Sequence, residues 1–165
     1  MPKFALPLVG GGEVTIGQNV AQGRTTLFYS YRGVHCPLCR KFMNALEGHL
    51  EKLDSMGVDV VFLSMNDAEK ATKAKEEWGI KSPVAYGMSV EQAVSLGLYL
   101  TDGMPSFNEP TVFSEPGMFM LNSDGALRFT DICNAPFVRP DIDGLIFGLE
   151  FVFSKNYPIR GTHAA

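Results

Sequence analysis

Residues 29–41 read Y-S-Y-R-G-V-H-C-P-L-C-R-K, with Cys36 and Cys39 spaced by Pro37 and Leu38, an apolar strand-like run ahead and a helical pattern behind. Proline is favoured at the first position of a helix, where its missing N–H has no intrahelical partner. Pro37 therefore puts Cys36 at the N-cap and Cys39 in the first turn, with both sulfurs at the positive end of the helix. A thiolate, not a thiol, is the nucleophile. A helix start with nearby cations lowers a cysteine from about 8.5 into the range of roughly 3.5 to 7.5. Arg32, His35, Arg40 and Lys41 supply such cations within a few residues. Cys36 is expected to be the more exposed, partly ionised, attacking sulfur and Cys39 the resolving one. Their spacing lets the sulfurs reach bonding distance and cycle between dithiol and disulfide.

Other readings of the motif need more than it supplies. A structural zinc site takes four ligands, yet the only cysteines and histidines outside the motif are Cys133, His49 and His163, no two of them close in sequence. A metal site built on Cys36, Cys39 and His35 is kept as an alternative; the leading expectation is no metal and no cofactor. A second alternative is a redox-sensing, partner-binding module. Residues 101–114, T-D-G-M-P-S-F-N-E-P-T-V-F-S, would serve it as a long loop displaying Phe107 and Phe113.

Outward from the motif, the chain alternates strand and helix. Residues 24–31 are rich in threonine and aromatics and predict a buried strand. Leu38, Phe42, Leu46, Leu50 and Leu53 recur at three and four residues, predicting one amphipathic helix closed by Gly57. Residues 58–64, V-D-V-V-F-L-S, predict a parallel strand covered on both faces. A right-handed strand, helix, strand unit sets the cysteines at the carboxyl end of its first strand, the edge where ligands gather in open α/β sheets. Asn66 or Asp67 caps a helix ending at Trp78 and Gly79, with Trp78 read as a packing anchor. Residues 82–86 predict a short strand and 89–99 a helix capped by Ser89. A hairpin turning at Ser123-Asp124-Gly125 follows, then a last helix starting at Arg139-Pro140-Asp141. Ahead of all this, residues 1–23 form an extension with a glycine-rich turn and a small edge strand at 13–16.

Composition limits the function. A chain of 165 residues fits one domain that buries about 70% of its unfolded surface. The formal charge of −4 gives no electrostatic footprint for nucleic acid. No apolar run approaches the length of a membrane span, the first residues do not read as a signal peptide, and three cysteines do not make a secreted scaffold, so a cytoplasmic protein is expected.

The order strand, C-x-x-C helix, strand, helix, proline-led hairpin and final helix resembles the α/β thioredoxin fold, a central mixed sheet flanked by helices, over about 24–154. The strand and helix inserted at 82–99, with R-G-V-H-C-P-L-C-R, V-A-Y-G-M-S and N-A-P-F-V-R-P, resemble its peroxiredoxin-like branch, the family of alkyl hydroperoxide reductase and thiol-specific antioxidant proteins. The resemblance implies a peroxidatic position for Cys36 and a cis-proline facing the cysteines, matched by Pro116 with Pro110 as rival. It also implies a peroxide or disulfide substrate, an external thiol reductant such as a thioredoxin or glutathione, and a homodimer as one expected state. In the family's P-x-x-x-T/S-x-x-C signature this chain carries Tyr29 and Gly33 in place of the proline and the hydroxyl residue. Glu115-Pro116 stands where an arginine is usual, leaving Arg32, Arg40, Arg128 and Arg139 as its replacements. Pro116, Arg32, His35 and Arg40 are the expected substrate-facing or thiolate-supporting residues, and Cys133 is expected to be buried.

Overall fold

The computed structural model describes residues 1–163. Its central sheet has five strands in the order β5-β4-β3-β8-β9, where β3 is Thr25–Ser30, β4 Val58–Leu63, β5 Val84–Ala85, β8 Gly117–Leu121 and β9 Leu127–Ile132. β3 pairs in parallel with β4 and antiparallel with β8, so both its edges are hydrogen-bonded, and all six of its residues are buried. That explains the near-continuous apolar reading of β3 and β4, since a strand covered on both faces has no solvent side to alternate with.

Successive side chains of these strands leave opposite faces, and each face builds a core. Leu27, Tyr29, Val60, Phe62, Met118 and Met120 face the helices α1 (Pro37–Glu47), α3 (Ala68–Trp78) and α5 (Ile142–Ser154). Phe28, Val61, Leu63 and Phe119 face α4 (Val90–Ser95) and the hairpin of β1 (Phe4–Pro7) and β2 (Glu13–Ile16). This hairpin is tied to the sheet edge by Val9 N–H to Val84 O and Tyr86 N–H to Pro7 O. Trp78 packs edge-on against Tyr31, as its reading as an anchor expects.

Several boundaries differ from the expectations. The helix predicted from Leu38 to Leu53 is two, because Gly48 ends α1 and a separate α2, Leu50–Ser55, follows without a side-chain cap. The first 23 residues hold two paired strands, not one. Residues 101–114 are not an open loop: β6 (Leu100–Asp102) and β7 (Val112–Ser114) form a two-stranded ribbon around a 3-10 turn at Pro105–Phe107. Phe107 is exposed as expected, whereas Phe113 is buried inside the ribbon's base. α4 stops at Ser95, and α5 starts after Asp141, whose carboxylate accepts from Gly144 N–H. Among the described residues no helix is long and apolar enough to cross a membrane.

Phe62 is fully buried and meets Tyr29 edge-to-face at 6.0 Å between ring centroids. Phe62→Ala is expected to destabilise the fold by about 3 to 5 kcal/mol through lost burial and the cavity left behind, read as a lower urea midpoint with an unchanged slope.

Candidate active site

β3 ends at Ser30, and Tyr31 still bonds to β4 through its N–H to Leu63 O at 3.0 Å. The chain then turns at Gly33, whose φ of 142° suits glycine. Gly33 O accepts from Cys36 N–H at 3.1 Å, closing the turn and delivering Cys36 to the N-cap of α1. Pro37 opens the helix as predicted. Cys39 N–H donates to Cys36 Sγ at 3.1 Å, so the sulfur takes the place that a serine oxygen fills in an ordinary cap. Cys36 and Cys39 are joined by a disulfide, with Cα atoms 5.2 Å apart.

Cys36, expected to be the more exposed of the pair, is 1% exposed and Cys39 0%, so neither sulfur is open to solvent. Both cysteines belong to the core cluster that includes Tyr29, Tyr31, Phe42 and Met43, and the loop at 134–140 lies against the outer side of the first turn. Arg139 donates to Leu38 O at 3.0 Å, to Pro136 O at 2.6 Å and to the Tyr29 hydroxyl. Its guanidinium lies 4.6 Å from the Phe42 ring centroid. Tyr29 is buried, which raises its hydroxyl above the ordinary phenol value and keeps it neutral. Arg139, one of four arginines open on sequence grounds, is therefore the one bonded to the carbonyl between the two cysteines.

The other cations lie elsewhere. Arg40 is exposed on α1, and Arg128 is bonded to Asn122 and Tyr157 at the far end of the hairpin. Arg32 points into the β6–β7 ribbon, where its guanidinium lies 3.2 Å from both Glu109 and Glu115 and 4.5 Å from the Phe113 centroid. Glu115, at the position where an arginine was expected, is thus the buried counter-ion of Arg32. His35 packs its ring against Phe113 at 4.8 Å. Burial, and secondarily Arg32, lowers its titration below the ordinary value of 6.5, so it is neutral at pH 7.

Pro116 is buried one step beyond the Ser30–Gly117 pair, level with Tyr31. Its peptide bond is trans, however, because no cis bond occurs among the described residues; Pro110 is trans as well. Pro116 O accepts from Cys133 N–H at 3.2 Å and from its thiol at 3.5 Å. Cys133 is buried as expected, and burial, then Asp131, raises its titration and keeps it a thiol. Among the described residues no group of three or more His, Cys, Asp or Glu side chains is placed to hold a metal, so Cys36, Cys39 and His35 do not converge as ligands.

Beside the dithiol an open groove of about 350 Å³ runs along Leu38, Phe42, Ala45, Pro136, Phe137 and Pro140, with Phe137 78% exposed. Sequence reasoning did not find this groove.

A mixed sheet whose first sheet helix begins at a disulfide-bonded C-x-x-C defines a thioredoxin-like thiol oxidoreductase. The chain belongs to the AhpC/TSA family, whose model matches residues 1–130. Among curated proteins none matches it in sequence. Its fold is similar to a mutant of peroxiredoxin 6 of Arenicola marina (14% identity, 95% of this chain and 73% of that one, TM-score 0.75). It is also similar to peroxidoxin BcpB of Mycobacterium tuberculosis (14%, 92% and 94%, 0.73) and to AhpC of Mycobacterium bovis (9%, 99% and 94%, 0.75).

Arg32→Met leaves two buried carboxylates without their cation. It is expected to cost about 3 to 5 kcal/mol of stability, measured by urea unfolding. His35 binds its proton more weakly folded than unfolded, so its share of stability is present above pH 6.5 and is lost as pH falls through the lower folded value. Comparing the pH dependence of the melting temperature in the parent and in His35→Phe checks this: the variant's decline on acidification should be the shallower.

Proposed function

We propose that the protein is a thiol peroxidase that works through an internal Cys36–Cys39 disulfide. The observation that carries the reading is Cys36 Sγ at the N-cap of α1, accepting the Cys39 N–H, which favours its anion over the thiol. In the dithiol form the Cys36 thiolate attacks the outer oxygen of a hydroperoxide. The S–O bond forms, the O–O bond breaks, and the departing alkoxide takes a proton to leave as the alcohol. Cys36 is then a sulfenic acid. Cys39 sulfur attacks it, the S–S bond forms, the S–O bond breaks, and hydroxide leaves as water. An external dithiol, or two thiols such as glutathione, gives two electrons and two protons to restore the pair, ending as a disulfide itself.

Pro116 and Tyr31 form the wall facing the dithiol. Arg139 is a positioning residue, holding the turn between the cysteines through Leu38 O. Arg32 and His35 act by shaping the loop, and Arg40 by adding positive potential at the helix start.

A second reading, reduction of disulfides in other proteins, is favoured by the apolar groove beside Leu38 and Phe137. The two are separated by reacting the reduced protein with a hydroperoxide and, in parallel, with a disulfide-bonded peptide. Peroxidase chemistry predicts faster oxidation by the hydroperoxide, with the Cys36–Cys39 bond located by peptide mass spectrometry. Cys36→Ser should fall to the uncatalysed rate with either oxidant. Cys39→Ser should react once and stop, with a sulfenic acid trapped at Cys36. Undiminished turnover of Cys36→Ser would refute the assignment of the nucleophile.

A further inference from the structure

The outer face of α5 is apolar where a surface helix is ordinarily polar. Its inner side is buried in the core through Ile142, Ile146 and Leu149. On the opposite side Gly144, Phe147, Gly148 and Phe151 fall within about 100° of the helix surface, given 3.6 residues per turn. Phe147 is 72% exposed and Phe151 47%. The other two long helices turn charge outward, Arg40 and Lys41 on α1 and Glu69, Lys73, Glu76 and Glu77 on α3. Two neighbouring phenyl rings in water forgo the gain of burial, and such a stripe on a surface helix marks a contact surface.

The face has a notch beside its two rings. Gly148 has no heavy atom of its own molecule within 4 Å of where a Cβ would stand, so nothing inside the fold excludes a side chain there. Glycine weakens a helix relative to alanine. What it offers instead is close approach: without a side chain at the contact, two helix axes can come to about 8 Å, and a facing ring has a place to sit.

The two ends of the face differ in charge. Asp141 and Asp143 lie at its start, and Asp143, though 3.2 Å from His49, keeps a side chain 87% exposed. Lys155 and Arg160 follow its end, where no carboxylate occurs between Phe151 and His163. Neither cation is in an ion pair among the described residues. Tyr157 stacks on Phe151 and carries Arg160 over its ring, which holds this tail beside the face. That polarity suits the helix's own dipole. It also makes the face complementary to itself. A two-fold axis at the level of Leu149 sets residue 143 opposite 155 and residue 147 opposite 151, whereas a parallel pair would set like charges together.

We infer that this face binds a second copy of the chain as an antiparallel pair of α5 helices. Phe147 and Phe151 lie at its centre against the notches at Gly148, and Lys155 lies opposite Asp143 at both ends. One pair of helices covers less than the roughly 800 Å² per partner of a standard interface, so the dimer is weak and forms as concentration rises.

Sedimentation equilibrium of the disulfide form, from micromolar to millimolar concentration, reads this without recourse to activity, so its outcome is separate from that of the peroxidase reading. Monomer and dimer in mass-action balance are expected. Phe147→Ser, which removes a ring, and Gly148→Leu, which fills the notch, should each weaken the dimer about tenfold or more, as truncating or blocking a central contact does. An unchanged urea midpoint checks that both variants fold. Lys155→Glu and Asp143→Lys should each weaken association, and the double variant, which swaps the charges, should recover it. A monomer at every concentration, or a dimer that Phe147→Ser and Gly148→Leu leave unaltered, would overturn the proposal. Failure of the charge swap to recover association would refute the antiparallel register. A monomer that sediments with phosphatidylglycerol vesicles through Phe147 would assign the face to a lipid surface instead.

Discussion

Backbone hydrogen bonds hold β3 on both edges, to β4 on one side and β8 on the other, and that double pairing fixes where the chain leaves the sheet. A strand bonded on one side slips or frays at its end, whereas one bonded on both has a single register. Tyr31 extends the ladder one residue past the strand through Leu63 O. The turn at Gly33 follows, and its carbonyl receives the Cys36 N–H. The position of Cys36 Sγ is therefore set by the sheet, with α1 supplying the N–H that meets it. The same pairing brings Pro116 level with Tyr31, so the residues that leave the ends of these two neighbouring strands do so side by side.

Polarity is segregated around that point. On the α1 side, Tyr29, Phe42 and Arg139 form a stacked layer with the guanidinium outermost. On the ribbon side, Arg32 lies between Glu109 and Glu115, with Thr101 donating to Glu115 at 2.7 Å and Met104 N–H donating to Glu109 at 3.0 Å. These charges lie too deep for water to screen them fully, so their balance matters more than their number. Arg32 is matched by two carboxylates, so it adds no net positive charge beside the start of α1, where the aligned peptide dipoles present their positive end.

Much of this was legible in residues 29–41 and in the apolar runs around them. Pro37 after Cys36 is a local signal, and local signals survive folding, as do the caps at Ser89 and Gly79. The features that escaped are set by residues distant in sequence. The contact of Arg139 with the first turn of α1 joins residues about a hundred positions apart, and nothing near the motif encodes it. The ribbon at 100–114 was hidden because its strands are three residues each, too short for a period to show. Two helices were read as one because the 3- and 4-residue spacing of Leu46, Leu50 and Leu53 continues across the break at Gly48, and a period carries no information about backbone continuity. The cis-proline expectation failed because it came from resemblance alone, with no residue in this chain that demands it.

The burial of both sulfurs bears on how the disulfide is reduced. An incoming thiolate must approach along the S–S axis, and a bond whose two residues are 1% and 0% exposed offers no such line. For a thiol to reach the bond the first turn of α1 has to open, and on its outer side the Arg139 bond to Leu38 O and its stacking on Phe42 oppose that. α1 is eleven residues long and ends at Gly48, so the turn is not anchored by a longer helix. The inner side of the same turn is held by the Cys36 N–H bond to Gly33 O and by the burial of Cys39, Phe42, Met43 and Leu46, so opening has to start from the outer side. Arg139 spans from the 134–140 loop, which carries the exposed Phe137, to the carbonyl between the cysteines, so the groove and the dithiol turn share one side-chain bridge.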